Sequence, residues 1–165
     1  MNLLPRIIIK NCAIACVTGL ISVGMLSPAY SHHSFAMYDT VAEKTVTGKL
    51  IRFIPGANHA QILFTLIDEQ GEQVYDDKGE EVVWGVELGP AARISRQGVT
   101  VKSFPVGTIL TATLHPLRDG RPFGAMAAAG IIKCGSELPA NGCNAETGES
   151  FLRSSPVNET PITRQ

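Results

Sequence analysis

The sequence predicts a mainly β chain: a small five-stranded barrel with one short helix between strands 3 and 4, preceded by a signal peptide. Three observations predict it. The first residues are basic and then apolar, and they end in small residues. Beyond them, β-branched segments of strand length alternate with Gly-, Pro- and Asp-rich turns. The period changes once, after the third segment, where Gly89-Pro90 opens a short helical stretch.

Met1–Lys10 carries Arg6 and Lys10 and no acid, and an apolar run follows from Cys12 to Leu26. Ser27-Pro28 ends the run, and Ala29-Tyr30-Ser31 offers small residues to a signal peptidase. A basic start, an apolar middle and a small-residue cut site define a secretory signal. A spanning helix needs about 20 apolar residues, more than this run supplies. Residues 1–31 are therefore expected to be removed, which puts the mature chain in the periplasm or the medium with no stable membrane span. The mature chain retains 134 residues, enough for one domain with a modest core. With 12 basic and 15 acidic residues left, its net charge of −3 argues against a nucleic-acid partner, which clustered Lys and Arg would attract. Cys12 and Cys16 leave with the signal. Cys134 and Cys143 remain, and in an exported chain they pair most simply as one disulfide, with a free-thiol or metal role as the alternative.

Thr45–Ile54 (TVTGKLIRFI) is β-branched and stops at Pro55-Gly56, giving strand 1. Gln61–Asp68 (QILFTLID) gives strand 2, and Glu81–Leu88 (EVVWGVEL) gives strand 3 after the turn-rich Asp76-Asp77-Lys78-Gly79. Pro90 just inside the start and Gly98 just past the end bound a short helix. Gly107–Leu114 alternates cleanly as strand 4, Arg118-Asp119-Gly120-Arg121 is a turn, and Gly124–Lys133 is strand 5. Three strands, a helix and two strands is the order of the OB-fold. Gly48 and Gly130 suit the bends of a closed barrel, and another small β-sandwich or an open sheet is the alternative. Residues 32–135 form the domain, and 136–165 read as a polar, loosely ordered tail rich in Ser, Asn, Glu and Pro.

The four histidines occupy three places: His32 and His33 at the new amino terminus, His59 before strand 2, and His115 at the end of strand 4. Neutral imidazole is the commonest protein metal ligand. A cut after Ser31 makes His32 the first residue, so its amine and ring can chelate one ion, the start of a histidine brace. A cut after Ala29 or Tyr30 places a histidine near the terminus in a form that suits square-planar Cu(II) or Ni(II). The leading expectation is a binding module, rather than an enzyme, that holds copper or another transition metal through His32, His33, His59 and His115. The alternative is a metal-free module that binds a small molecule, glycan or partner protein on the barrel face around Trp84. Phe53, Phe64 and Trp84 would form its stacking platform, unless they pack in the core. Asp76, Asp77, Glu80 and Glu81 lack calcium-loop spacing and read as a solvated turn. Asp39, Glu43 and Glu87 are carboxylates that could assist a metal or act as acid or base, but no spacing singles them out and surface positions are the default.

His32-His33-Ser34-Phe35-Ala36-Met37-Tyr38-Asp39, Thr47-Gly48, Trp84-Gly85-Val86-Glu87 and Gly107 through His115-Pro116-Leu117-Arg118-Asp119-Gly120 share a pattern. In this the chain resembles a family of small exported bacterial proteins filed as a domain of unknown function. The resemblance covers about residues 32–133. It departs at Ala57-Asn58-His59-Ala60, where the family shows Asn-Pro-His, and it leaves out Cys134, Cys143 and the tail. It implies export and a single small β domain, with no established activity.

Overall fold

The computed structural model describes residues 35–153; the expected signal peptide, His32 and His33 lie outside the described residues. After a 3-10 turn at Phe35–Met37 come β1 (Lys44–Ile54), β2 (Gln61–Leu66), β3 (Val83–Glu87), α1 (Ala91–Ser95), β4 (Ile109–Pro116), β5 (Phe123–Gly135) and β6 (Glu149–Phe151). The first five strands match the expected segments with their ends shifted by a few residues. The hydrogen-bonded order is β3-β2-β1-β4-β5-β6, and β3 also pairs with β5. That last, parallel pairing closes a five-stranded barrel of OB-like order.

Closure depends on two long, bent strands. β1 pairs with β4 over Lys44–Lys49 and with β2 over Gly48–Ile54, with a register shift between Leu50 and Arg52. The bend lies where Gly48 sits against the Phe64 ring, a place with no room for a side chain. β5 is irregular between Met126 and Ile131, which pair with Leu114 and Ala112 of β4. Gly130, at φ 73°, stands within that irregularity. Such a bulge re-aims the chain, so that one half of β5 reaches β3 while the other carries β6.

Inward positions of all five strands form one core, with Leu50, Ile62, Phe64, Trp84, Val86, Leu110, Leu114 and Ile131 among its members. Ile94 of α1, Val99 and Phe104 extend the same cluster. Phe64 is fully buried and Trp84 is 7 % exposed. The two pair across β2 and β3, and the Lys44 ammonium lies 4.7 Å from the Trp84 ring. Trp84 and Phe64 are therefore packing residues, and the stacking platform expected on a face around Trp84 does not form. Burial explains the change: the apolar area of both rings stabilises the barrel from inside.

The expectation of a loose tail needs correction in its first part. Residues 136–153 fold back on the barrel, and β6 adds to β5 beyond the closed set. The Phe151 ring lies edge-on to Phe104 at 5.0 Å. Cys134 and Cys143 are joined as a disulfide. Cys143 packs with Ile67 and Ile109, and its carbonyl accepts the Thr111 hydroxyl at 2.7 Å. Composition suggested disorder because the segment holds few large apolar groups. The covalent tie and a handful of contacts order it instead. Residues 154–165 lie outside the described residues. Among the described residues, no helix is long and apolar enough to cross a membrane.

Removing the tie through Cys134→Ser with Cys143→Ser releases a closed loop of nine residues' separation. The loop-entropy relation puts the loss at about 2.5 kcal/mol. Urea unfolding of the double variant should show a lower midpoint at the same slope.

Candidate functional site

The site grows from the open ends of β2 and β3. Gln61 pairs with Glu87, and the pairing continues one step outward, where the Leu88 N–H donates to Ala60 O at 2.7 Å and the Ala60 N–H to Gly89 O at 3.1 Å. This extension carries His59 beside Glu87. Gly56 allows it, because the His59 carbonyl lies where a side chain at Gly56 would have to go. The Ala57-Asn58-His59 turn thus returns the imidazole to the barrel edge. His59 Nδ1 is 3.0 Å from Glu87 Oε1.

The second partner of Glu87 comes from the start of the domain. Tyr38 bridges Leu117 in antiparallel fashion. The Asp39 N–H donates to Pro116 O at 2.8 Å, and the Arg118 N–H to Met37 O at 3.0 Å. The Arg118 side chain adds a bond from Nε to Ala36 O at 3.2 Å. These bonds lay residues 36–39 along the end of β4. They also place the Tyr38 ring on Leu117 and Ala125, with Phe123 packed against the group. From there the Tyr38 hydroxyl donates to Glu87 Oε2 at 3.1 Å. One carboxylate therefore joins Tyr38 and His59, which are far apart in sequence. Burial, the Glu87 charge and the hydrogen bond to it, in that order, push the Tyr38 phenol up to about 12.

His115 takes a different place. It pairs with Ala125 of β5, whose other neighbour is Glu87 of β3. Two strand spacings, about 9.5 Å, thus separate the His115 and Glu87 backbones. The His115 Nδ1 is 2.9 Å from Ala42 O. Of the four expected metal ligands, then, His59 joins the Glu87 edge, His115 faces the 39–44 segment, and His32 and His33 lie outside the described residues. Among the described residues, no group of three or more His, Cys, Asp or Glu is arranged to hold a metal ion. The acidic turn at 76–81 is the solvated turn expected of it: Asp76 Oδ1 accepts the N–H groups of Lys78 and Glu80, both at 2.9 Å. Asp39 caps its own turn through Val41 N and Ala42 N.

Tyr38 and Glu87 are the residues that sequence reasoning left among ordinary side chains. The sequence holds one cue for Glu87, a carboxylate ending an apolar strand, where a charge gains stability only with partners. Tyr38 has no such cue, because its role depends on the β4 end that holds it.

The raised phenol sets the sign of one pH effect. A group whose folded pKa lies above its unfolded value of 10.0 contributes stability that is complete below about pH 10 and is lost as pH rises through about 12. Alkaline titration followed at the tyrosinate absorption band should show a late-ionising tyrosine, and Tyr38→Phe should remove that step. Glu87→Gln should bring the step down only in part, since burial is the larger cause.

No curated protein and no solved structure matches the chain. A family model described as a family of unknown function (DUF6152) matches residues 19–126, a span that holds Tyr38, His59, Glu87 and His115 and ends within β5 before the disulfide. The chain belongs to that family.

Proposed function

We propose that this protein is an exported binding module whose ligand is a late transition metal ion, copper first among them, held at the Tyr38–Glu87–His59 edge. The observation that carries this reading is the carboxylate that orients an imidazole. Glu87 takes His59 through Nδ1 at 3.0 Å and is itself fixed by Tyr38. A neutral His59 with its proton on Nδ1 has its lone pair on Nε2, the nitrogen that faces a metal in carboxylate–histidine–metal arrangements. The remaining nitrogen donors are the His32 amine and ring, with His33 beside them. They are tethered a few residues before Tyr38, the residue that touches Glu87. An amine and two or three imidazoles form a donor set that suits Cu(II). His115 has no part in the site as proposed, since Ala125 separates it from Glu87.

Export is proposed on two grounds, the signal-peptide pattern of residues 1–31 and the Cys134–Cys143 disulfide. Such bonds persist in oxidising compartments.

The test is Cu(II) titration of the mature protein, followed by EPR, after mass measurement has fixed which residue starts the chain. Nitrogen-coordinated Cu(II) should bind well below about micromolar Kd. His32→Ala and His59→Ala should each weaken binding by about tenfold or more, and one residue added before His32 should do the same while keeping every side chain. Micromolar or weaker binding that ignores both substitutions would sink the proposal.

A further inference from the structure

A second feature of the same barrel edge needs neither a metal nor residues 32–34. A cavity of ≈ 470 Å³ opens on the outer surface where β2, β3, the 3-10 turn and the β4–β5 turn meet. That volume lies in the range of small-molecule sites, roughly 300–1,000 Å³. Leu63, Val83, Leu117 and Phe123 supply apolar lining. Gly85 lines it too, and a side chain there would run into the Phe123 ring. Glycine at this position thus lets the Phe123 ring pack against β3, where the ring forms one wall of the cavity.

The polar lining is Gln61, Arg121, Tyr38 and Glu87, and the partly buried charge among them is the Glu87 carboxylate. Glu87 is an acceptor, and each of its oxygens has one partner, Tyr38 or His59. An ionised carboxylate has about four acceptor positions, so both oxygens keep capacity for a further donor. The Tyr38 hydroxyl has committed its proton to Glu87, which leaves it only acceptor capacity for a ligand. Arg121 is the cation of the lining, and its guanidinium is bound to Asp119 at 2.8 Å with both side chains largely exposed. An apolar cleft with a partly buried negative charge and two acceptors selects a cationic donor. We infer that this cavity binds a small organic amine, with its ammonium group on Glu87 and Tyr38 and its alkyl or aryl body against Leu63, Val83 and Phe123. The inference goes beyond the metal reading and shares Glu87 and Tyr38 with it. Charge-assisted N–H···O⁻ bonds in a partly dry site exceed neutral ones by about twofold in strength.

The experiment uses the mature protein in excess chelator, so that its outcome is independent of any metal. Phenethylamine, 2-phenylethanol and 3-phenylpropionate, alike in their aryl body, are titrated in turn and followed by amide NMR. Phenethylamine should saturate below about 1 mM, with the alcohol about tenfold weaker and the acid weaker still. The largest shifts should fall on Val83, Gly85, Glu87 and Phe123. Glu87→Gln should reduce amine affinity by about tenfold. Val83→Trp, a change at an exposed position of the lining, should block binding while the rest of the spectrum keeps its native dispersion. Equal affinity for the three probes, shifts centred elsewhere on the barrel, or no saturation by about 10 mM amine would overturn the inference.

Discussion

The parallel pairing of β3 with β5 is the constraint on which the rest of the molecule depends. Gly85, Val86 and Glu87 lie beside Phe123, Gly124 and Ala125, and this short ladder turns an open sheet into a closed barrel. Sterics at glycine permit it twice. A side chain at Gly85 would occupy the Phe123 ring, and one at Gly124 would press on the His115 carbonyl and the Leu114 side chain. The irregularity of β5 between Met126 and Ile131 supplies the change of direction. Closure leaves the barrel without an unpaired seam between its first and last strands, the place where a small sheet is otherwise open to strand addition.

The same ladder creates the candidate site. Glu87 ends β3 on the outer surface, beside Ala125, and a small side chain there leaves room for the Tyr38 ring above it. The carboxylate is partly withdrawn from water, which costs free energy unless donors replace the lost hydration. Tyr38 and His59 replace it from two separate segments, one through the docked 36–39 segment and the other through the turn before β2. Each partner is therefore held by the charge it satisfies. The carboxylate also lies against Nδ1 of His59, and a partner on one ring nitrogen is what tunes the chemistry of the other.

Much of the barrel was legible in the sequence because its strands carry their own signals. β-branched runs ended by Pro55-Gly56, by the Asp- and Gly-rich turns and by Arg118-Asp119-Gly120 place five strands and one helix in order. β6 was not legible. Glu149-Ser150-Phe151 has no strand period of its own, and it is ordered by Phe104, by the edge of β5 and by a disulfide loop. The site was legible only by residue type. His59 stood out because imidazole is rare and versatile, but nothing local in the sequence links it to Glu87 or Tyr38. That link is a matter of register: β2 against β3 sets His59 beside Glu87, and the end of β4 sets Tyr38 above it. Register also separates His115 from them by one strand, a distinction that the histidines' positions along the chain do not reveal.

The position of the amino-terminal segment follows from these contacts. Residues 36–39 add to the end of β4 by backbone bonds to Pro116 and Arg118, one bridge to Leu117, and one side-chain bond from Arg118 to Ala36 O. Only Tyr38 among them is deeply buried, while Phe35 and Met37 remain more than half exposed. A segment attached by few bonds and one anchoring ring is among the least stable parts of a fold. Its order is coupled to Glu87 through the Tyr38 hydroxyl, beside the packing of the ring on Leu117 and Ala125. Whatever neutralises or occupies Glu87 therefore acts on the anchor of residues 36–39. The Glu87 edge and residues 36–39 are in this way linked through Tyr38, whose ring rests on Leu117 and Ala125 while its hydroxyl reaches the carboxylate.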